Sequence, residues 1–183
     1  MMINPLEAVW DSLRTMIDNE PKTPLHVGEV MSLWTLLTVF EEAHSIYVSA
    51  LNMTTDDELL HAVKEAEKGS KKTVKDLKVF LKEEGVPLPP TIEEKPISEP
   101  NAIPLGVKLT DSEIANAISA KIATCITLCG TGMAEGIRND VSLKHLNYQT
   151  ELLTYGVSLK TLMRKRGWIK VPPHYYPPGM PKK

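Results

Sequence analysis

The sequence predicts an all-α protein built as a four-helix bundle with one long connection between its two halves. Four long segments carry apolar side chains three and four positions apart, and glycine and proline residues separate them. The middle of the chain contains six prolines and shows no helical periodicity. With 183 residues, 42% of them hydrophobic, the chain is long enough to form a single domain (1–183) with a sizeable core.

The first half of the chain is predicted to form a short helix and a helical hairpin. Apolar periodicity places the short helix at residues 5–19, within an N-terminal arm of residues 1–24, and the first long helix at 26–53. Side chains at 54–58 can cap a second long helix, which we predict to end at Glu84. The lysines of this helix alternate with acids, which is typical of a solvated face; a surface for an acidic partner is the alternative.

Residues 85–109 are predicted to form an extended crossover. At about 3 Å per residue it can span the roughly 42 Å of a 28-residue helix and return the chain to the other end of the bundle. Thr110 and Glu113 then have the spacing of a capping box, and the bundle is predicted to occupy 25–166. Two helical hairpins joined by one long crossover form the ferritin-like variant of the four-helix bundle.

The C-terminal tail, residues 167–183, cannot continue a helix because it is rich in proline. Its aromatic residues, among them Trp168 and Tyr175, predict that it lies extended over the bundle. From Lys160 onward the chain contains bases and no acid. A basic helix end that complements the helix dipole explains this pattern, and a partner-binding tail is the alternative.

Charge and motifs exclude several functional classes. The formal net charge of -2 gives no general attraction to nucleic acid, and neither a signal peptide nor a transmembrane segment is visible, so we expect a cytoplasmic protein as synthesised. Cys125 and Cys129 have a spacing that suits core packing better than a disulfide bond. No phosphate loop, nucleophile elbow or paired Cys-x-x-Cys occurs, so the sequence predicts no catalytic residue.

Glu41 and His44 are the first candidate site residues. The spacing Glu-x-x-His on a helix is the unit from which carboxylate-bridged di-iron and di-manganese centres are built in four-helix bundles. The predicted apolar stripe of this helix consists of Val27, Val30, Met31, Trp34, Leu37, Val48 and Leu51. Glu41 and His44 continue the stripe and are expected to face the core, where an unpaired charge costs several kcal/mol. They are therefore predicted either to bind a metal or to belong to a hydrogen-bonded polar network.

The full metal-ligand set is incomplete in this sequence. A second Glu-x-x-His is absent, and His145, on the apolar phase of the last helix, is the next candidate. A smaller site made of Glu41, His44 and His145 could bind iron, manganese or zinc. The missing carboxylates favour a protein without a cofactor and without enzymatic activity.

Several stretches together resemble a known family. They are LHVGEVMSLW at 25–34, FLKEEGVPLPP at 80–90, the proline-rich crossover and RGWIKVPPHYYPP at 166–178. The chain is similar in these stretches to the ferritin-like spore coat proteins of the coat F type found in endospore-forming bacteria, many of which have no established function. The resemblance implies a ferritin-like bundle and a place in the spore coat, and it supplies no catalytic residue.

We therefore predict a non-enzymatic structural or interaction protein of the spore. Self-association as a homodimer and contacts with other spore proteins are expected. A metal-binding oxidoreductase or metal-storage protein is the alternative. A third reading is small-molecule binding in a bundle cavity lined by Met31, Trp34 and Tyr47.

Overall fold

Four long helices make up the chain in the computed structural model, which describes residues 22–90 and 93–178. The helices are α1 (Val27–Met53), α2 (Asp57–Glu83), α3 (Asp111–Glu135) and α4 (Asn139–Arg166), with a 3-10 turn at Pro100–Ala102. No β-strand occurs within these ranges, which confirms the all-α prediction. The helix predicted at residues 5–19 lies outside the described residues.

Side-chain caps and glycines set the helix ends. Thr110 accepts a hydrogen bond from the Glu113 backbone N–H, and the Glu113 carboxylate accepts one from the Thr110 N–H, which is the predicted capping box. His26 and Glu29 cap α1 in the same way. Gly85, just after α2, has φ 74°, the left-handed conformation that glycine adopts at low cost.

The connectivity is that of a ferritin-like bundle. α1 packs against α2 and α3, and α4 packs against α3 and α2. The crossover runs along α1, because Trp34 donates a hydrogen bond to the Pro87 carbonyl near one end and Asn52 donates to the Pro96 carbonyl near the other. The chain therefore returns along the bundle before α3 begins.

The buried face of α1 differs from the predicted stripe. Val27 and Met31, which were expected inside, are exposed, whereas Leu33 and Leu36 are fully buried. Residues 30–40 are apolar on several sides of the helix, so packing against two neighbouring helices selects the buried face. Met31 therefore cannot line an internal cavity.

α3 forms much of the contact between the two hairpins. Ile118, Ile122 and both cysteines are buried, and Cys125 and Cys129 are free thiols, in agreement with their predicted packing role. Among the described residues, only α3 is long and apolar enough to cross a membrane by length and composition. The core helix of a bundle has the same composition, so this property does not by itself indicate a membrane span.

The tail covers less of the bundle than the sequence predicts. Trp168 and Ile169 pack against the core at the end of α4, and Asn116 of α3 donates a hydrogen bond to the Trp168 carbonyl. Residues 170–178 are exposed. The tail thus closes one end of the bundle and then extends into solvent.

Candidate functional site

Glu41 lies in the groove between α1 and α2. Its side chain is 9% exposed, and its carboxylate forms an ion pair with the ammonium group of Lys78. The Lys78 side chain is 29% exposed. The prediction that Glu41 faces inward is correct. Its charge is neutralised by a lysine of the adjacent helix, so the buried carboxylate is not left without a counter-charge.

His44 lies one turn further along α1, at the rim of the same groove. Its side chain is 20% exposed, so it is less buried than the core position that the sequence predicts. His44 Nδ1 is 3.4 Å from Glu67 Oε1, and this buried nitrogen forms no hydrogen bond with any part of the chain within residues 22–90 and 93–178. Lys71 contacts the same Glu67 oxygen at 2.8 Å.

These side chains line a cavity of about 610 Å³ on the outer side of the α1–α2 hairpin. Phe40 and Val74 contribute apolar surface, and Glu94 of the crossover lies at one edge. Lys75 and Lys82 also line the cavity and form no ion pair within the described ranges. The groove is therefore an apolar depression with a basic rim, and its two carboxylates on α1 and α2 are each paired with a lysine.

His145 occupies a different part of the core. It is fully buried on α4, with Nε2 3.3 Å from the Ser32 hydroxyl, while Nδ1 has no hydrogen-bond partner among the residues that the structure describes. Ser32 precedes Glu41 by nine residues, which is about 14 Å along α1. Burial lowers the pKa of His145 to about 4, so the ring is neutral at pH 7.

The structure brings together two of the three predicted site residues. Glu41 and His44 share the α1–α2 groove, and His145 lies more than two helical turns away. Within residues 22–90 and 93–178, no group of three or more His, Cys, Asp or Glu side chains is arranged to hold a metal ion. Binding of iron, manganese or zinc by these residues stays the alternative prediction, and the favoured prediction is a protein without a cofactor.

Glu67 and Lys78 belong to the site, although the sequence does not single them out. They lie on α2 together with Lys71, and the spacings of four and seven residues put all three on the face that lines the groove. The alternation of lysines and acids along α2 predicts a solvated face. The position of Val74 between them on the same face is the signal that could have shown a partly buried lining.

A second polar cluster joins three segments at one end of the bundle. Glu29 of α1 is 2% exposed, and its carboxylate accepts hydrogen bonds from the backbone N–H groups of His26, Ile137 and Arg138 at 2.7–2.8 Å. Burial acts to raise the pKa of Glu29, but these backbone donors outweigh it and the pKa is lowered. Glu29 therefore holds the start of α1 against the α3–α4 turn.

Arg138 extends this cluster to α2. Its guanidinium contacts both carboxylate oxygens of Glu84 at 2.7 and 2.8 Å, and it also contacts Asp140 and the Thr23 carbonyl. Hydrogen bonds to Asp140 and Glu84 raise the pKa of Arg138, and the same pairing lowers the pKa of Asp140. Every member has partners on other elements, which is the pattern of a structural clamp.

Comparisons with known proteins identify a matching family, whose description names no function. The model of the family described as "Protein of unknown function (DUF3231)" matches residues 15–180. The uncharacterised protein YvdQ of Bacillus subtilis is 29% identical over 155 residues, which is 85% of this chain and 91% of that protein.

Solved structures show the same fold. A crystal structure of a "putative spore coat protein" from Bacillus halodurans has a TM-score of 0.82 and 30% identity, and the match covers 84% of this chain and 97% of that one. A two-domain protein of Anabaena variabilis with DJ-1/ThiJ/PfpI-like and ferritin-like domains has a TM-score of 0.62 and 16% identity, over 86% of this chain and 42% of that one. The second likeness concerns the fold alone.

Proposed function

Because the chain belongs to the DUF3231 family of proteins of unknown function, we propose from its own geometry that it is a non-enzymatic structural protein of the spore. It acts through contacts with other copies of the same chain and with other spore proteins. The similarity to the Bacillus halodurans protein over most of both chains supports the spore location.

The observation that carries the non-enzymatic part is the ion pair between Glu41 and Lys78. In ferritin-like metal centres, the glutamate of Glu-x-x-His is a metal ligand. Here its carboxylate contacts an ammonium group, and the neighbouring Glu67 contacts Lys71. A cation at either carboxylate would have to displace a lysine and leave that lysine's charge nearby, which opposes metal binding.

The spore location is tested by expressing the full chain as a fluorescent fusion in sporulating Bacillus subtilis. We expect fluorescence around the forespore, and recovery of the fusion from coat extracts of washed spores. A free fluorescent protein under the same promoter is the control. Diffuse fluorescence in the mother cell, with none in washed spores, would refute the spore role.

A further inference from the structure

The outward surface of the α3–α4 hairpin has an unusual composition. We call it the α3–α4 outer face and define it by six exposed residues: Ala123, Thr127, Thr150, Leu153, Thr154 and Val157. Within their helices these residues lie opposite the buried positions, as the helical period requires. The face presents methyl and methylene groups and no charged side chain.

The charges of α3 are directed elsewhere. Lys121 is the one charged residue between positions 114 and 134. Its ammonium group lies 2.6 Å from the Val39 carbonyl of α1, on the side of α3 away from α4. About 20 residues of α3, roughly 30 Å of helix, therefore carry no charge on the outward side.

The charged side chains of α4 likewise point away from the α3–α4 outer face, towards α2. Between positions 143 and 158 the charged residues are Lys144 and Glu151. Lys144 pairs with Asp76 of α2 at 2.9 Å, and Glu151 pairs with Lys72 of α2 at 2.6 Å. The outward side of α4 is thus uncharged over 16 residues, or roughly 24 Å, which is slightly shorter than the uncharged stretch of α3.

The hydroxyl groups of this face are already satisfied. Thr127, Thr150 and Thr154 each donate a hydrogen bond to the carbonyl four residues earlier in their own helix, at 2.8–3.1 Å. Covering the face would therefore leave no threonine donor without a partner. This removes the main cost of burying a polar surface.

We propose that the α3–α4 outer face is the two-fold interface between two copies of this chain. The inference rests on the proposed function, because it names the surface through which a structural protein would self-associate. A two-fold contact places the same patch on both sides, so the patch must be complementary to itself. An uncharged face meets this requirement without repulsion.

The α2 surface of the α1–α2 hairpin is a poor partner for the α3–α4 outer face of a second copy. Thirteen of the 27 residues of α2 are Asp, Glu or Lys. If α2 were placed against the uncharged face of a second copy, its charged side chains would lose water without gaining partners of opposite charge, which is unfavourable. Charge complementarity therefore favours contact between two α3–α4 outer faces.

The size of the face suits a dimer. Two helices about 10 Å apart, each uncharged over roughly 24–30 Å, present about 550 Å². Two copies would bury about 1,100 Å², which is above the roughly 1,000 Å² expected of a specific interface and just below the standard range, which begins at about 1,200 Å². We therefore expect a dimer that dissociates on dilution.

The test is sedimentation velocity of the full-length chain over a hundredfold concentration range. The wild type should shift from one chain of 20.4 kDa towards twice that mass. Leu153→Glu should raise the dimer dissociation constant by about a hundredfold or more, because each copy then buries an unpaired charge. Val79→Glu on α2 is the matched control, since Val79 is 48% exposed and Leu153 49% exposed, and it should leave dimerisation unchanged.

A wild type that stays monomeric throughout, or a dimer that Leu153→Glu leaves intact, would overturn the proposal. Flotation of a monomeric wild type with phosphatidylglycerol vesicles, lost in Leu153→Glu, would overturn it too and identify lipid as the occupant. The outcome is separable from the spore test: a monomer found in spores refutes the interface alone, and a dimer absent from spores refutes the spore role alone.

Discussion

The imidazole ring of His145 fills the space where any side chain at position 132 would lie. A methyl group placed on Gly132 of α3 would clash with three ring atoms of His145 on α4. The ring is fully buried, so it cannot rotate into solvent to make room. This contact sets how closely the two helices of the second hairpin approach each other.

Gly132→Ala should therefore destabilise the fold. Overpacking a buried contact costs about 1–3 kcal/mol, partly offset by the roughly 1 kcal/mol that alanine gains over glycine in a helix. Gly69→Ala in α2 is the control, because among the described residues no atom apart from its own helix backbone and chain neighbours lies within 4 Å of the added methyl group, and it should stabilise slightly. Urea denaturation of both variants checks the prediction. Equal stability of the two would show that the His145 contact is not tight.

Folding stability should fall in mild acid because of His145. The pKa of His145 is about 4 in the folded chain against an ordinary 6.5, so between these values protons bind the unfolded chain preferentially. The contribution is complete above pH 6.5 and is lost as pH falls towards 4, by about 3 kcal/mol in total. His145→Gln should flatten the pH dependence of the unfolding free energy relative to the wild type.

The exposed His61 provides the control for this pH effect. His61→Gln should leave the slope of stability against pH between 4 and 6.5 unchanged. If His145→Gln and the wild type lost stability in parallel over this range, the buried imidazole would not be the group responsible.

Removing the charge of Glu29 should loosen one end of the bundle. In Glu29→Gln the carboxylate no longer accepts three backbone N–H groups, and the amide can replace at most part of this bonding. We expect a loss of about 2–3 kcal/mol. Glu83→Gln, at an exposed position at the end of α2, should have little effect. Thermal unfolding of the two variants makes the comparison.

Glu41 and Lys78 should be energetically coupled. Lys78→Met leaves the buried Glu41 carboxylate without its counter-charge, and we expect a loss of about 1–3 kcal/mol, reduced from a fully buried pair because Lys78 is partly solvated. Adding Glu41→Gln should recover part of that loss. In a double-mutant cycle, the double variant should therefore lose less stability than the sum of the losses of the two single variants.

Lys75→Met is the control for this cycle, because Lys75 lines the same groove and forms no ion pair with a residue that the structure describes. Its effect on unfolding should be small with or without Glu41→Gln. Strictly additive effects of Lys78→Met and Glu41→Gln would show that the ion pair does not hold Glu41 in place.

The sequence allowed the topology to be predicted because its signals are local. The Thr110–Glu113 box, the cap at His26 and the glycines after α2 and α4 act within a few residues, and the length of the crossover decides between the two bundle connectivities. The buried face of α1 could not be predicted in the same way, because its first half is apolar on several sides. Which side is buried depends on where α2 and α3 lie.

Only part of the candidate site could be predicted from the sequence, for a related reason. Glu41 and His44 are neighbours on one helix, so their spacing is visible in the sequence. Lys78 and Glu67 reach them only when α2 folds back antiparallel to α1, and their register depends on the reversal at Thr54–Asp56. The pairing that neutralises Glu41 is therefore a tertiary property.

Elemental analysis can show whether Glu41 and His44 are structural and bind no metal, as we propose. The protein is purified without an affinity metal, loaded anaerobically with Fe(II), desalted and compared with Glu41→Gln and His44→Ala. We expect no stoichiometric iron, manganese or zinc in any of the three proteins. Near-stoichiometric metal in the wild type that both variants lose would contradict it and establish a metal centre in the α1–α2 groove.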